Sequence, residues 1–230
     1  MYKIKNMTSK INKEFGLFAK DKGISSLSLH YFNKSIESNL TPYVLEERQM
    51  NVTQMDVFSR LMLERIIWVA GTVNDNMSTI VQAQLMFLDS LDNNDITMHI
   101  DSPGGSVKSG LSMVDVMDYI NSDIRTINTG MAASMGSILL GAGTKGKRSS
   151  LRFSKTMLHQ SSGGFEGNIQ DARISMIEWD KLNKTLFELL GSYCGKSSET
   201  VMNDSSRDLW LSSQEALEYG IIDEIITKKK

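Results

Sequence analysis

The sequence has three histidines, which limits the side chains that could transfer protons near neutral pH. His30 lies in a segment without periodic pattern, and His99 alternates with apolar residues inside a predicted strand, so we interpret both as structural. His159 differs because it ends a predicted strand and is followed by a run of serines and glycines. It is the histidine that the pattern places at the mouth of a loop.

Ser134 lies in the segment Gly-Met-Ala-Ala-Ser-Met-Gly over 130–136, where a predicted strand gives way to a predicted helix. A hydroxyl at a helix N-terminus lies near the positive end of the backbone dipole, and free N–H groups there can bind a developing oxyanion. The small neighbours leave room for a substrate. Ser134 could also be only an N-cap, and this segment alone favours that interpretation.

Two glycines, Gly104 and Gly105, follow Pro103 directly after another predicted strand. Such a pair is often only a turn. Backbone without side chains can also present an N–H group to a carbonyl oxygen without steric obstruction. The pair by itself does not decide between these alternatives.

A serine–histidine pair needs a carboxylate to hold the imidazole tautomer. Asp208 precedes a short apolar segment that is predicted to be a strand. Several other aspartates would serve by composition, and their spacing in the sequence does not distinguish them.

The elements that position these residues are strands alternating with helices. Apolar spacing predicts helical segments in 55–62, after an N-cap at Asp75, in 111–120, in 133–142 and in 172–189. It predicts strands over 66–70, 96–100, 124–128 and 156–159, with a loop over 129–131. This order predicts an α/β architecture with mostly parallel strands and with its sites at their carboxyl ends.

Composition excludes several classes of protein. The chain of 230 residues has a net charge of -2 without a basic stripe, which argues against a nucleic-acid binder. One cysteine, Cys194, allows no internal disulfide and suits a reducing compartment. We expect a cytoplasmic protein, because the sequence has neither a membrane-spanning apolar run nor a signal peptide. Residues 1–40 lack a sustained period and are predicted to be an N-terminal arm or pro-segment.

Four motifs in order resemble the family of Clp protease proteolytic subunits. They are Asp-Ser-Pro-Gly-Gly-Ser-Val over 101–107, the segment 130–136, Met-Leu-His-Gln over 157–160, and the stretch from Arg-Asp-Leu-Trp-Leu to Glu-Tyr-Gly over 207–220. The resemblance runs from about residue 40 to residue 226. It also selects Asp208 among the aspartates.

The resemblance implies a serine endopeptidase that degrades unfolded proteins through an acyl-enzyme. Ser134 would be the nucleophile, His159 the general base and then acid, and Asp208 the orienting carboxylate. The N–H groups of Gly105 and Met135 would form the oxyanion hole. Substrate would bind in extended form along a further set of residues: Ser106, Val107, Ser161, Ser162 and Gly163.

The resemblance also implies a fold and an assembly. The domain over 41–230 would adopt the ClpP/crotonase-like spiral of repeated β-β-α units, with a protruding handle helix over about 168–193. Heptameric rings would stack as a tetradecamer and receive unfolded chains from an AAA+ Clp unfoldase such as ClpX, ClpA or ClpC. The unfoldase would consume the ATP, so this chain is expected to need no cofactor and no metal.

Three alternatives remain open from the sequence. Ser161 stands where the family usually has proline, and Ser206 where it usually has an acidic residue, so the chain could be a catalytically silent or regulatory ring subunit. A crotonase-type enzyme of CoA thioesters would share the fold. A serine–lysine peptidase would use Lys145 or Lys155 as its base.

Overall fold

A computed structural model of the chain describes residues 43–48, 51–162 and 168–228. The chain divides into two compact units, and the first, which ends at Val57, contains a hairpin of two antiparallel strands, β1 (Tyr43–Arg48) and β2 (Asn51–Asp56). The whole of the predicted arm over 1–40, including His30, lies outside the described residues. The boundary near residue 40 therefore stays a prediction.

The second unit is built on a seven-stranded sheet. Five strands run parallel in the order β3, β4, β5, β6, β9, and their bounds are Ile66–Ala70, Ile96–Ser102, Ile124–Ala133, Arg148–Leu151 and Glu224–Ile226. Strand β7 (Lys155–Leu158) pairs parallel with the far end of β5, and β8 (Leu209–Ser212) pairs antiparallel with β7. The predicted α/β class with mostly parallel strands is confirmed.

The described residues also contain seven helices. They are α1 (Val57–Leu63), α2 (Asp75–Leu91), α3 (Val107–Tyr119), α4 (Met135–Gly141), α5 (Ile169–Cys194), α6 (Ser198–Asp204) and α7 (Ser213–Tyr219). The prediction of Asp75 as an N-cap is wrong by one residue, because the side chain of Asn74 accepts the N–H of Met77 and caps α2. None of the described helices is long and apolar enough to cross a membrane.

The largest error of the sequence prediction concerns β5. The segment over 129–131 was expected to be a loop and the helix to begin at 133, but the strand continues to Ala133 and α4 begins at Met135. Glycine and alanine give little strand signal, and here the strand is extended by pairing of 131–133 with β7. This partner lies more than twenty residues later in the chain.

The sheet brings four chain segments to one edge. Strands β4, β5 and β7 are parallel neighbours, so the segments that follow them meet at their carboxyl ends. Strand β8 runs the other way, with Leu209 opposite Leu158, so the residue that precedes β8 reaches the same edge. Gly104, Ser134 and His159 follow the three parallel strands, and Asp208 precedes β8.

Candidate active site

Ser134 and His159 are in direct contact. The hydroxyl Oγ of Ser134 lies 2.8 Å from Nε2 of His159, a hydrogen-bonding distance at which the imidazole can take the hydroxyl proton. The backbone fixes this contact, because the N–H of Ser134 donates to the carbonyl of Met157 at 2.9 Å. The two sequence candidates, 25 residues apart in the chain, thus form one site.

The backbone of Ser134 is unusual. Its φ of 53° and ψ of -122° put a non-glycine residue in a sparsely populated region, at the sharp turn between β5 and α4. Ser134 stands at the N-cap position, yet its side chain makes no capping hydrogen bond to the helix. The N-cap interpretation therefore does not explain the hydroxyl, which is turned toward His159 instead.

Asp208 lies on the other side of the imidazole. Its Oδ1 is 3.5 Å from Nδ1 of His159, which is within ion-pair range but longer than a good hydrogen bond. The Asp208 side chain is 61% exposed, whereas that of His159 is 23% exposed. Serine, histidine and aspartate are therefore aligned in the order of a catalytic triad, with a loose contact at the carboxylate.

The two predicted oxyanion segments also meet at Ser134. The N–H of Val73 donates to the carbonyl of Gly104 at 2.8 Å, and this holds the glycine loop after β4 in place. Met135 is the first residue of α4, and the N–H groups of a helix's first turn have no acceptor within the helix. The structure therefore fits an oxyanion hole at Gly105 and Met135, a role that stays a prediction.

A pocket opens beside Ser134 and His159. Its walls are mostly apolar and include Ile138 of α4 together with Leu186, Phe187 and Leu190 of α5. Its volume is about 20 Å³, room for a water-sized group, so an apolar side chain of a peptide would enter only if these walls moved apart.

The predicted substrate-binding residues have different positions relative to this pocket. Val107 and Ser161 line it, and Ser162 is exposed. The N–H of Ser106 already donates to Val73, so it is not free to pair with a substrate strand. Gly163 lies outside the described residues.

The lysines proposed as an alternative base lie elsewhere. Nζ of Lys145 is 3.4 Å from the carbonyl of Tyr193 and 3.8 Å from Oδ1 of Asp223. Lys155 begins β7, whereas His159 follows its end. Among the residues that the structure describes, no cluster of His, Cys, Asp and Glu could hold a metal ion.

Sequence reasoning missed the contribution of α5 to the site. Asn183, Leu186, Phe187 and Leu190 all line the pocket, and their spacing places them on one face of the helix. The helical period was visible in the sequence. Nothing in that period indicated that this face packs beside Ser134.

Comparisons with known proteins find one family. The model of the Clp protease family matches residues 48–229. An ATP-dependent Clp protease proteolytic subunit of Bacteroides fragilis is 50% identical over 208 residues, which cover 90% of this chain and 94% of that protein. Proteins of the same name from Porphyromonas gingivalis and Ligilactobacillus salivarius are 46% and 44% identical, over 90% and 84% of this chain and 94% and 98% of their own.

Proposed function

Since this chain belongs to the Clp protease family, we propose that Ser134, His159 and Asp208 are the catalytic triad of a serine peptidase subunit of the Clp type. The observation that carries the proposal is the 2.8 Å contact between Ser134 Oγ and His159 Nε2. A serine hydroxyl is a weak nucleophile until a neighbouring base accepts its proton, and this contact supplies the base.

The chemistry follows from the positions of the atoms. His159 Nε2 takes the proton of Ser134 as Oγ attacks the peptide carbonyl, and the N–H groups of Gly105 and Met135 bind the oxyanion that forms. His159 then protonates the leaving amine, and an acyl-enzyme remains on Ser134. Water hydrolyses the acyl-enzyme by the same proton transfers in reverse. Asp208 stabilises the imidazolium and keeps Nδ1 protonated.

The substrate is an unfolded polypeptide in extended form. The side chain next to the bond that is cut packs against the apolar lining beside Ser134, which favours peptides with an apolar residue there. Val107 and Ser161 lie on the path of the bound chain. Ser162 and Gly163 continue this path in the proposal.

The proposal includes the assembly of heptameric rings into a tetradecamer. The first half of α5 carries several apolar side chains that this chain leaves largely exposed: Ile169, Ile174, Met176 and Ile177. Exposed apolar clusters of this kind indicate contact surfaces, and the occupant proposed here is a second copy of the chain. An AAA+ Clp unfoldase such as ClpX, ClpA or ClpC delivers the substrate and consumes ATP, in the cytoplasm.

Peptide hydrolysis tests the catalytic assignment. We expect wild type to cleave a fluorogenic peptide with a large apolar residue before the scissile bond, and Ser134→Ala to lose about three orders of magnitude or more of kcat/KM. The mass of each particle is measured in parallel, to show that the variant assembles as wild type does.

A fluorophosphonate probe separates the alternatives. Labelling of Ser134 in the assembled wild type supports the triad. An assembled particle that neither cleaves the peptide nor takes the label is a silent ring subunit. Tight binding of CoA thioesters would instead point to a crotonase-type activity.

A further inference from the structure

Ser161 and Asn183 are joined by two hydrogen bonds at the rim of the active site. The side-chain oxygen Oδ1 of Asn183 accepts the backbone N–H of Ser161 at 3.2 Å and its hydroxyl at 2.6 Å. Because both donors belong to one residue, the two bonds restrain the backbone and the side chain of Ser161 together. Ser161 lies two residues after His159, whereas Asn183 lies on α5.

Both residues line the pocket beside Ser134. Leu186, Phe187 and Leu190 follow Asn183 at the spacing that puts them on the same helix face, and they form the apolar wall of that pocket. Asn183 is thus a polar position in an otherwise apolar stripe. Its Oδ1 accepts both hydrogen bonds from Ser161, which belongs to the segment that carries His159.

The imidazole of His159 is restrained on one side by its hydrogen bond to Ser134 Oγ. Asp208 contacts it at 3.5 Å and is largely exposed. On the upstream side, β7 ends at Leu158, where pairing with Leu209 fixes the backbone. On the downstream side, the bonds to Asn183 fix the backbone at Ser161. His159 lies between these two fixed points.

We propose that Asn183 is a positioning residue that holds the segment 159–161 through Ser161. By fixing this segment, Asn183 sets the orientation of His159 toward Ser134 and the wall against which the substrate side chain packs. The inference rests on the proposed function, because the positions it describes matter for peptide hydrolysis. It assigns to α5 a part in catalysis besides forming the pocket.

The test uses the full-length protein with single and double variants. Asn183→Leu keeps the side-chain size and removes the acceptor, and we expect kcat/KM for an apolar fluorogenic peptide to fall about tenfold. The rate of fluorophosphonate labelling of Ser134 should fall with it, because labelling depends on His159. Ser161→Ala removes only the hydroxyl donor and should lose about threefold.

A double-mutant cycle distinguishes positioning from a general structural effect. If Asn183 acts through Ser161, the double variant is no worse than Asn183→Leu alone, because the same contact is already lost. Ser161→Thr keeps both donors and should retain most of the activity. Thr185→Val is the matched control: it removes an exposed hydroxyl of α5 that donates to the carbonyl of Lys181, and should change neither rate.

Each outcome separates this inference from the proposed function. A wild type that neither cleaves peptide nor labels contradicts the proposed function itself. An active wild type with additive or absent effects in the cycle overturns the role of Asn183. If Asn183→Leu does not assemble, equal losses in Ser161→Ala and Ser161→Thr overturn it too, whereas loss only in Ser161→Ala supports it. Particle mass and thermal unfolding are measured for every variant.

Discussion

Gly104 lies directly against Ser134. A Cβ atom added to Gly104 would be 2.6 Å from Cβ of Ser134 and 2.9 Å from the backbone nitrogen of Met135. Its φ of +92° is also unfavourable for a residue with a side chain. The turn that carries Ser134 therefore packs against Gly104, and a side chain at this position would force neighbouring atoms to move.

We predict that Gly104→Ala separates the glycine loop from Ser134 and lowers kcat/KM for peptide by about a hundredfold or more, since shifts of about 1 Å at an active site have such effects. Gly146→Ala is the control. Gly146 has a similar φ of +87°, but no atom lies within 4 Å of the added Cβ. That variant should lose about 1 kcal/mol of stability and keep its activity. Equal activity losses in both variants would contradict the prediction.

Asp208→Ala should be less damaging than Ser134→Ala. The carboxylate is exposed and 3.5 Å from the imidazole, so its removal weakens the orientation of His159 without removing a reacting atom. We expect kcat/KM to fall by about 10²–10⁴, and in any case by less than in Ser134→Ala measured with the same peptide. Asp204→Ala removes an exposed carboxylate that accepts a hydrogen bond from the Tyr219 hydroxyl, and it should have no such effect on peptide hydrolysis. An Asp208→Ala variant with full activity would remove this residue from the triad.

The pair formed by the buried Arg148 and the partly buried Asp223 should contribute to the acid sensitivity of the fold. Burial raises the pKa of Asp223, but the hydrogen bonds from Arg148 outweigh this effect and leave the pKa below its usual value. Arg148 Nη2 lies 2.6 Å from Oδ1, and the arginine side chain is 1% exposed. A carboxylate with a depressed pKa stabilises the folded state above its unfolded pKa of about 4, and the contribution is lost as the pH falls through the folded pKa.

Asp223→Asn tests this pair. We expect a loss of about 3–5 kcal/mol in the free energy of unfolding at neutral pH, because a buried guanidinium is left without its counter-charge. The loss should diminish as the pH falls below about 4. Urea unfolding across this range measures both effects. Asp123→Asn, in the exposed pair with Lys147, should cause little change, and an equal effect there would refute the burial argument.

His99 should make stability depend on pH in a different range. Its ring stacks on Trp68, with ring centroids 4.7 Å apart, and its Nδ1 is buried without a hydrogen-bond partner within the described residues. Burial lowers the pKa of His99 below its usual value. The unfolded chain therefore binds a proton more readily, so stability is fully present above about pH 6.5 and declines as the pH falls below that.

We predict that His99→Phe, which keeps a ring against Trp68, gains stability relative to wild type as the pH is lowered from about 7 to about 5. Denaturant unfolding at each pH provides the measurement. Thr97→Val, on the same face of β4, should show the same change of stability with pH as wild type over this range. If the stability of His99→Phe changes with pH in the same way as that of wild type, the protonation of His99 is not coupled to folding.

The sequence by itself determined the chemistry of this protein and the order of its elements. Ser134 stands out because it lies where a predicted strand gives way to a predicted helix, and His159 because it ends a predicted strand. Four short motifs resemble those of the family. Strand and helix periods depend on neighbours in the chain, so they are visible without a structure. These local signals were sufficient for the α/β class and the long helix α5. The triad assignment, in which Asp208 was selected by the family motifs, stays a proposal.

The tertiary structure decided what depends on partners far away in the chain. Pairing with β7 turned the Gly-Met-Ala-Ala segment of β5 into strand, which local propensity did not predict. The packing of α5 brought Asn183 to Ser161, and the sheet brought Arg148 to Asp223 across 75 residues. A side chain's hydrogen-bond partner is set by register and packing, and the composition of its own segment does not specify either.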